Sequence, residues 1–341
     1  MSKILLMILT LALCASQGYA GNKSRTGTAG AVELLIPVSA KNLAVGNSMI
    51  SAQSGIDGVS VNPASIGLLS KNELAFSTFD YLAGIKLYYF AGGFSFGDLG
   101  NLGFSIRSLD FGKIDKTTNE SPEGTGETFS PTYVTASVIL GRELTENIQF
   151  GMQVKYVHES FNNASAGGVG FDVGFQYTGV SVLPGLNFGI ALKNINLNKL
   201  KFEGQGMTNA TGPVAGANLG VDKKQWTTPT ESFDMPSTFE FGLSYELGLD
   251  DLQSLTLGTT YINNNISTDE YNFGGEYNYQ NMIFLRSGYS YVPDGIDNLY
   301  GLTLGGGLSY NLGFQLTVDY AYQQVNYFSG ANQLVTLRIG I

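Results

Sequence analysis

Apolar and polar residues alternate with a period of two along segment after segment of this chain. Phe171, Val173, Phe175 and Tyr177 are interleaved with Gly170, Asp172, Gly174 and Gln176. Phe239, Phe241, Leu243 and Tyr245 alternate in the same way with Glu240, Gly242, Ser244 and Glu246. The chain ends on Val335, Leu337, Ile339 and Ile341 set against Leu334, Thr336, Arg338 and Gly340. Successive side chains of a strand point to opposite faces, so each segment has one apolar face and one face of charge, amide or glycine. After residue 20 no apolar run reaches the length of about eighteen residues that a membrane-crossing helix needs.

The pattern predicts strands near 72–80, 84–96, 101–110, 131–141, 147–159, 168–178, 186–194, 237–247, 253–262, 270–279, 281–291, 300–310, 313–323 and 332–341, fourteen in all. Their connections differ in kind. Every second one is short, such as 97–100, 142–146 and Asn311-Leu312, whereas the others include the two longest, 111–130 and 195–236. Short turns at one end and long loops at the other are the signature of a transmembrane antiparallel β-barrel. A soluble β-sandwich shares the alternation. Against it stand the number of strands and the aromatic residues expected toward strand ends (Tyr88-Tyr89-Phe90, Tyr156, Tyr177, Tyr245, Tyr261, Tyr289, Tyr291, Tyr310 and Tyr320), which suit interfacial girdles. The final apolar-faced strand is also available to close on the first.

Residues 1–20 read as a secretory signal peptide: Lys3, an apolar stretch from Ile4 to Leu13, and Gly18-Tyr19-Ala20 as a cleavage site. Leu13 before Cys14 does not suit lipoprotein cleavage. Cys14 is the single cysteine, so the mature chain relies on neither disulfides nor cysteine-bound zinc. Eighteen basic residues against 28 acidic ones argue against nucleic acid as a partner. Residues 21–71 precede the strands and are too few for a core of their own. They are expected to form an arm or small plug in the lumen of the barrel at 72–341. Within them, Ser39 is placed to cap a turn over Ala40–Val45 that Gly46 ends. Asn62 is placed to cap a turn beginning at Pro63 and stopped by Gly67.

Catalytic constellations are not evident. His158 is the single histidine, and its parity matches Tyr156 and Val154 on the lipid-facing side, so neither a zinc set nor a Ser-His-Asp triad is expected. Gly305-Gly306-Gly307 and Gly124-Thr125-Gly126 lack the strand-turn-helix setting of a phosphate loop. Asp294-Gly295-Ile296-Asp297-Asn298 lacks the closing Glu of a calcium loop. No enzyme activity and no cofactor are expected. Arg107, Lys155, Asp172, Glu240, Glu246, Arg286, Asp319 and Arg338 fall on the polar side of their strands and should face the lumen. They suit either a salt-bridge network that packs the lumen or a polar path for solute. In the long connection 195–236, Trp226, the single tryptophan, is a candidate contact for a partner or ligand, or part of a lid.

IPVSAKNLAVGNSMISAQSGIDGVSVNPASIG resembles the N-terminal signature of the PorV/PorQ family, outer-membrane proteins related to the FadL-like fatty-acid-transport barrels. The family steps appear as Ala40-Lys41, Val45-Gly46-Asn47-Ser48 and Asn62-Pro63-Ala64-Ser65, with Lys41, Asn47 and Ser65 departing from the usual residues. The resemblance continues through SLDFGKID, PEGTGETFSPTYV, LTENIQFGMQVKYVHES, GVGFDVGFQY and ALKNI. It implies a fourteen-stranded outer-membrane barrel with an N-terminal plug, in which Lys41, Gly46, Asn62 and Pro63 carry the signature. It implies two jobs. One is a type IX secretion-associated component that binds exported proteins at its outer loops. The other is a FadL-like channel for hydrophobic small molecules such as fatty acids or aromatics.

Overall fold

The computed structural model describes residues 25–180, 183–204, 209–213, 223–227, 230–293, 298–327 and 330–341. The expected signal peptide at 1–20 lies outside these residues, as does most of the candidate calcium loop at 294–298.

Fourteen antiparallel strands form one closed sheet. In chain order they are β1 (Glu73–Asp80), β2 (Lys86–Ser95), β3 (Asn101–Asp110), β4 (Thr132–Thr145), β5 (Ile148–Phe161), β6 (Ala164–Tyr177) and β7 (Leu186–Asn196). There follow β8 (Thr238–Gly248), β9 (Gln253–Asn264), β10 (Glu270–Tyr279), β11 (Ile283–Tyr291), β12 (Tyr300–Asn311), β13 (Gln315–Val325) and β14 (Ala331–Gly340). Each strand pairs with its neighbours in sequence, and β14 closes on β1 with Glu73 opposite Gly340 and Asp80 opposite Gln333. Closure leaves no unpaired edge. Both ends of the barrel sequence meet at the end that carries the short turns, called here the terminal end.

The outward set is apolar and exposed: Val138, Leu140, Val154, Tyr156, Phe175, Ile190, Leu192, Leu304 and Val318 among others. A continuous exposed apolar band is unstable in water and fits the hydrocarbon of a bilayer. Of the girdle candidates, Tyr88, Tyr289, Tyr291 and Tyr310 are exposed near strand ends, Tyr156 and Tyr320 are exposed nearer the middle of their strands, and Tyr177, Tyr245 and Tyr261 are half-buried. Tyr89 is an exception to the girdle: the pleat turns it inward, where it is buried. His158 lies on the outward side of β5, half-buried opposite Gly167.

Two connections depart from expectation. The one between β5 and β6 is only Asn162-Asn163, because Ala164–Gly168 continue the ladder and Asn162 adopts a left-handed φ of 51° that makes a tight turn. The long connection after β7 carries a small ladder of Asn209–Pro213 on Lys223–Thr227, besides a two-residue contact of Glu203–Gly204 with β6.

Residues 31–72 lie against the inward faces of the strands. Val38, Leu43, Ile56, Ile66 and Leu69 form one core with the inward residues Ala75, Ala91, Ile139, Ala321 and Leu334. Each fully buried aliphatic side chain contributes about 2 kcal/mol of transfer free energy. The short segment therefore obtains from the barrel wall the core it cannot make for itself. A short helix runs over Ala40–Ala44, followed by Gly46 at φ 64° as its left-handed end residue. Ser39 does not cap it; its hydroxyl donates instead to Asp57 Oδ2 at 3.2 Å. The second turn is a 3-10 helix over Pro63–Leu68, capped by Asn62 Oδ1, which accepts from the Ala64 amide at 3.0 Å. Gly67 does not stop it. It lies inside the turn, where a Cβ would sit 3.1 Å from the Arg142 carbonyl oxygen, so its role is close approach to β4.

Candidate functional site

The segment makes a circuit of the inner wall. The Ala40 amide donates to Thr336 Oγ1 on β14 at 2.9 Å, and the Ala44 carbonyl accepts from Thr303 on β12 at 3.1 Å. From there Ala44 lies on Gly305 of β12, Val45 on Gly288 of β11 and Gly274 of β10, and Ser48 on Gly258 of β9. Ile50 then lies on Gly242 of β8 and Ser51 on Gly189 of β7. After a loop through Asp57, Asn62 lies on Gly174 of β6 and Pro63 on Gly151 of β5. Ile66 covers Gly141 of β4 and Gly103 of β3, and Leu69 covers Gly93 of β2, from which the chain enters β1. Every strand from β2 to β12 thus offers an inward glycine to this segment.

The close approach is physical. A Cβ on Gly189 would sit 2.6 Å from Ser51 Cα, and one on Gly258 would sit 2.8 Å from the Ser48 carbonyl oxygen. Register aligns several of the glycines directly: Gly93 with Gly103, Gly141 with Gly151, Gly151 with Gly174, Gly258 with Gly274 and Gly274 with Gly288. By sequence alone these glycines count only as the polar half of an alternation, apart from Gly305 in its triplet. The available signal was pairing about the short turns, where each of 93/103, 141/151, 174/189, 242/258 and 274/288 brackets one turn.

Asn62 holds the circuit together. Its side-chain amide donates to the Ile50 carbonyl and to the Phe175 carbonyl of β6, each at 3.1 Å. Gln176 also donates to the Ile50 carbonyl at 3.0 Å, and Ser51 and Ser244 hydroxyls meet at 2.9 Å. Lys41 is half-buried in the short helix, where its charge acts on Asp57.

The inward charges form separate clusters. Arg286 on β11 contacts Glu276 on β10 and Asp319 on β13, each at 2.5 Å. The second contact crosses β12 over Gly307, where a Cβ would obstruct both Asp319 and Arg286. Gly305 seats Ala44, and Gly306 faces outward, so two of the three glycines serve separate packing needs inside the barrel. Lys155 lies 2.6 Å from Asp172 and donates to Asn194 at 2.7 Å. The register of β6 and β7 shifts between Phe171 and Val173, and Asn194 has φ 58°. That bulge frees the Asn194 amide, which donates to Asp172 Oδ1 at 2.6 Å. Glu240 pairs with Lys193 at 2.7 Å, and Arg338 with Asp57 at 3.0 Å. Arg107 donates to the carbonyl of Glu33 at 2.7 Å.

Glu246 does not join any of these. It has inward parity but sits near the terminal end of β8 and is exposed, because no wall or segment covers it there. The Trp226 backbone pairs with Ala210, and its side chain lies outside the described residues. Sequence reasoning missed Glu33 and Asp57, placed by the segment within the barrel, and Lys193 and Glu276, which meet Glu240 and Arg286 across neighbouring strands.

Two cavities flank residues 34–38 at the long-loop end. A mostly apolar one of about 380 Å³ is lined by Val32, Glu33, Leu35, Ile36 and Pro37 on one side and by Tyr81, Ile85, Leu109, Phe111, Tyr133 and Tyr300 on the other. The second, about 240 Å³, lies deeper and shares Leu35, Ile36, Pro37 and Tyr300 with the first. Its far wall is polar, with Arg107, Lys193, Glu240 and Glu270. The hydroxyls of Tyr81 and Tyr300 hydrogen-bond to each other at the rim of the apolar cavity. Burial pushes the Glu33 carboxyl up to about 8, and the neighbouring Glu159 reinforces the shift.

The fold has known counterparts. The chain is similar to the toluene transporter TodX of Pseudomonas putida, at 14% identity over 89% of this chain and 97% of that one, with a TM-score of 0.52. It is also similar to CymD, a monoaromatic hydrocarbon channel, at 11% identity over 90% of this chain and 97% of that one, with a TM-score of 0.50. At such identities the likeness is one of fold. No protein-family model matches the sequence, and no curated protein matches it. The resemblance of its first half to PorV/PorQ proteins therefore stands on sequence motifs alone, while the architecture is that of a closed fourteen-stranded transmembrane barrel.

Proposed function

We propose that the protein is an outer-membrane channel, FadL-like in kind, that admits small hydrophobic molecules from the long-loop side. The observation that carries this reading is the apolar cavity of about 380 Å³ between Val32–Pro37 and the barrel mouth. Its volume suits a small aromatic or aliphatic molecule. Its lining offers apolar contact with only a few polar atoms, and it adjoins the deeper cavity through Leu35–Pro37. The likeness of fold to a toluene transporter and to a monoaromatic hydrocarbon channel supports the same reading. The type IX secretion reading rests on the sequence resemblance and the two long connections; the described residues provide no feature that favours it over a solute channel.

The test is uptake of radiolabelled toluene by cells that lack a hydrophobe channel of their own. Cells that display this protein should take it up several-fold faster than empty cells. Leu35→Glu, which puts a charge into the half-exposed apolar lining, should abolish at least about nine-tenths of that gain, since a charge in an apolar site is strongly disfavoured. No gain over empty cells, or a Leu35→Glu variant as active as wild type, overturns the reading. A changed set of surface and secreted proteins on gene deletion would favour secretion.

A further inference from the structure

Among the described residues, Arg107, Lys155, Lys193, Arg286 and Arg338 are the basic side chains that the barrel strands turn inward. Four of them have carboxylate partners: Lys155 with Asp172, Lys193 with Glu240, Arg286 with Glu276 and Asp319, and Arg338 with Asp57. Arg107 on β3 pairs with no carboxylate among the described residues. Its guanidinium donates to the main-chain carbonyl of Glu33 at 2.7 Å. A guanidinium stays charged at any physiological pH, and a charge taken out of water without a counter-charge is strongly disfavoured.

Arg107 opens onto a pit of about 30 Å³ in the inner wall. Lys155 and Lys193 line the same pit, together with Tyr89, Ser105 and Thr135. Asp172 is the single carboxylate in its lining. With Lys155 paired to Asp172 and Lys193 to Glu240, the surplus is one positive charge, that of Arg107. Glu33 does not offset it at neutral pH, because burial holds the Glu33 carboxyl largely protonated. The rest of the lining is rich in donors. The Tyr89 side chain is 3% exposed, and its hydroxyl has no hydrogen-bond partner among the described residues, so its proton is available to the pit.

We propose that this pit is an anion site and that it takes one chloride-sized monovalent anion as the counter-charge of Arg107. Charge and size select the occupant. Water would satisfy the hydroxyls but leave the guanidinium uncompensated, and a divalent anion would exceed a surplus of one charge. A volume of about 30 Å³ has room for one or two water-sized bodies, and so for a halide but not for a bulky organic acid. The pit meets the deeper polar-walled cavity at Leu34, Ser60, Arg107 and Lys193, which gives the ion a way in. The site does not depend on the channel reading, because the ion neutralises the wall whatever passes beside it.

The first test is thermal unfolding of the purified protein in chloride and in gluconate at equal ionic strength. Screening is then the same in both, and gluconate is too large for the pit. Saturating chloride should raise the unfolding midpoint, read from heat-modified electrophoretic mobility, by at least about 3 °C over gluconate, as binding to the folded state alone requires. Arg107→Gln should abolish that difference. Lys116→Gln, which removes an exposed loop cation, should keep it. Equal midpoints for wild type in the two salts, or an undiminished difference in folded Arg107→Gln, overturns the proposal.

Crystals of the wild-type protein grown in bromide decide the matter without any variant. Diffraction at the bromine absorption edge should show an anomalous peak in the pit, against Arg107. Bromide at surface positions only, or none at all, overturns the site. If Arg107→Gln does not fold, the two wild-type measurements decide. Neither reads uptake, so failure of the channel reading leaves the anion site standing.

Discussion

Arg338 Nη1 lies 3.0 Å from Asp57 Oδ1, joining the last strand of the barrel to a turn 281 residues before it in the chain. The pair sits where β14 closes on β1, beside Glu73, whose Oε2 accepts from the Ile56 amide at 2.9 Å. Closure of the barrel and placement of the N-terminal segment are therefore coupled through one ion pair.

Breaking that pair should be costly. Burial opposes the Asp57 charge, but Arg338, Lys41 and the Ser39 hydroxyl together hold its carboxyl below the ordinary value of 3.8. A folded pKa below the unfolded one contributes stability that is fully present above the unfolded value. That stability is lost as pH falls below about 3.8 and through the folded pKa. Asp57→Asn should lower the unfolding free energy by about 3 kcal/mol at pH 7, because it leaves Arg338 facing no charge at that position. Urea denaturation at pH 7 and pH 3 checks both parts: the difference between variant and wild type should shrink in acid.

Glu33 should act in the opposite sense. Its carboxyl is buried at the long-loop end and faces Glu159 of β5, with Arg107 of β3 on its carbonyl and Tyr133 of β4 nearby. A folded pKa of about 8 against an ordinary 4.5 means that the fold favours the protonated form. Its contribution is fully present below 4.5 and is lost as pH rises through about 8. An environment-sensitive dye on Val32→Cys should therefore report loosening of 32–37 between pH 6 and pH 9. Adding Glu33→Gln should flatten that response, and an unchanged response would show that another group titrates.

Lys155 and Asp172 should be worth little together and much apart. Both side chains are almost wholly buried and lie 2.6 Å apart. Removing one leaves an uncompensated buried charge, so Asp172→Leu should cost about 3–5 kcal/mol. The double variant Lys155→Met with Asp172→Leu should recover most of that loss, as a double-mutant cycle in urea would show. The Asn194 amide, left without Asp172 as its acceptor, sets the part not recovered.

Much of the fold was legible because strand pairing in a barrel is written locally. The alternation at Phe171–Tyr177 and at Val335–Ile341 marks the strand and its outward face without reference to any partner. The Asn62-Pro63 turn and the Gly46 stop were legible for the same reason, since caps and left-handed ends depend on neighbours within a few residues. Local signals misjudged Gly67, whose role is set by the Arg142 carbonyl of β4, and Glu246, whose parity is inward but whose place is beyond the covered part of the lumen.

The charge clusters show where such reasoning stops. Arg286 and Asp319 were both expected to face inward, but their contact depends on Gly307 between them, and Glu276 joins from a third strand. Lys193 keeps the inward parity of Gly189 and Ala191 and was legible by the same alternation, whereas the bulge turns Asn194 inward against that alternation.

The sequence alone determined that the chain is a ring of alternating strands with an apolar exterior, because period-two patterning and turn lengths act between near neighbours. Only the tertiary structure decided what fills that ring. Closing the barrel brings glycines from eleven strands to one inner band, and the path of residues 44–69 follows from the space they leave. Space of that kind belongs to no single residue, so it becomes visible only when the wall is complete.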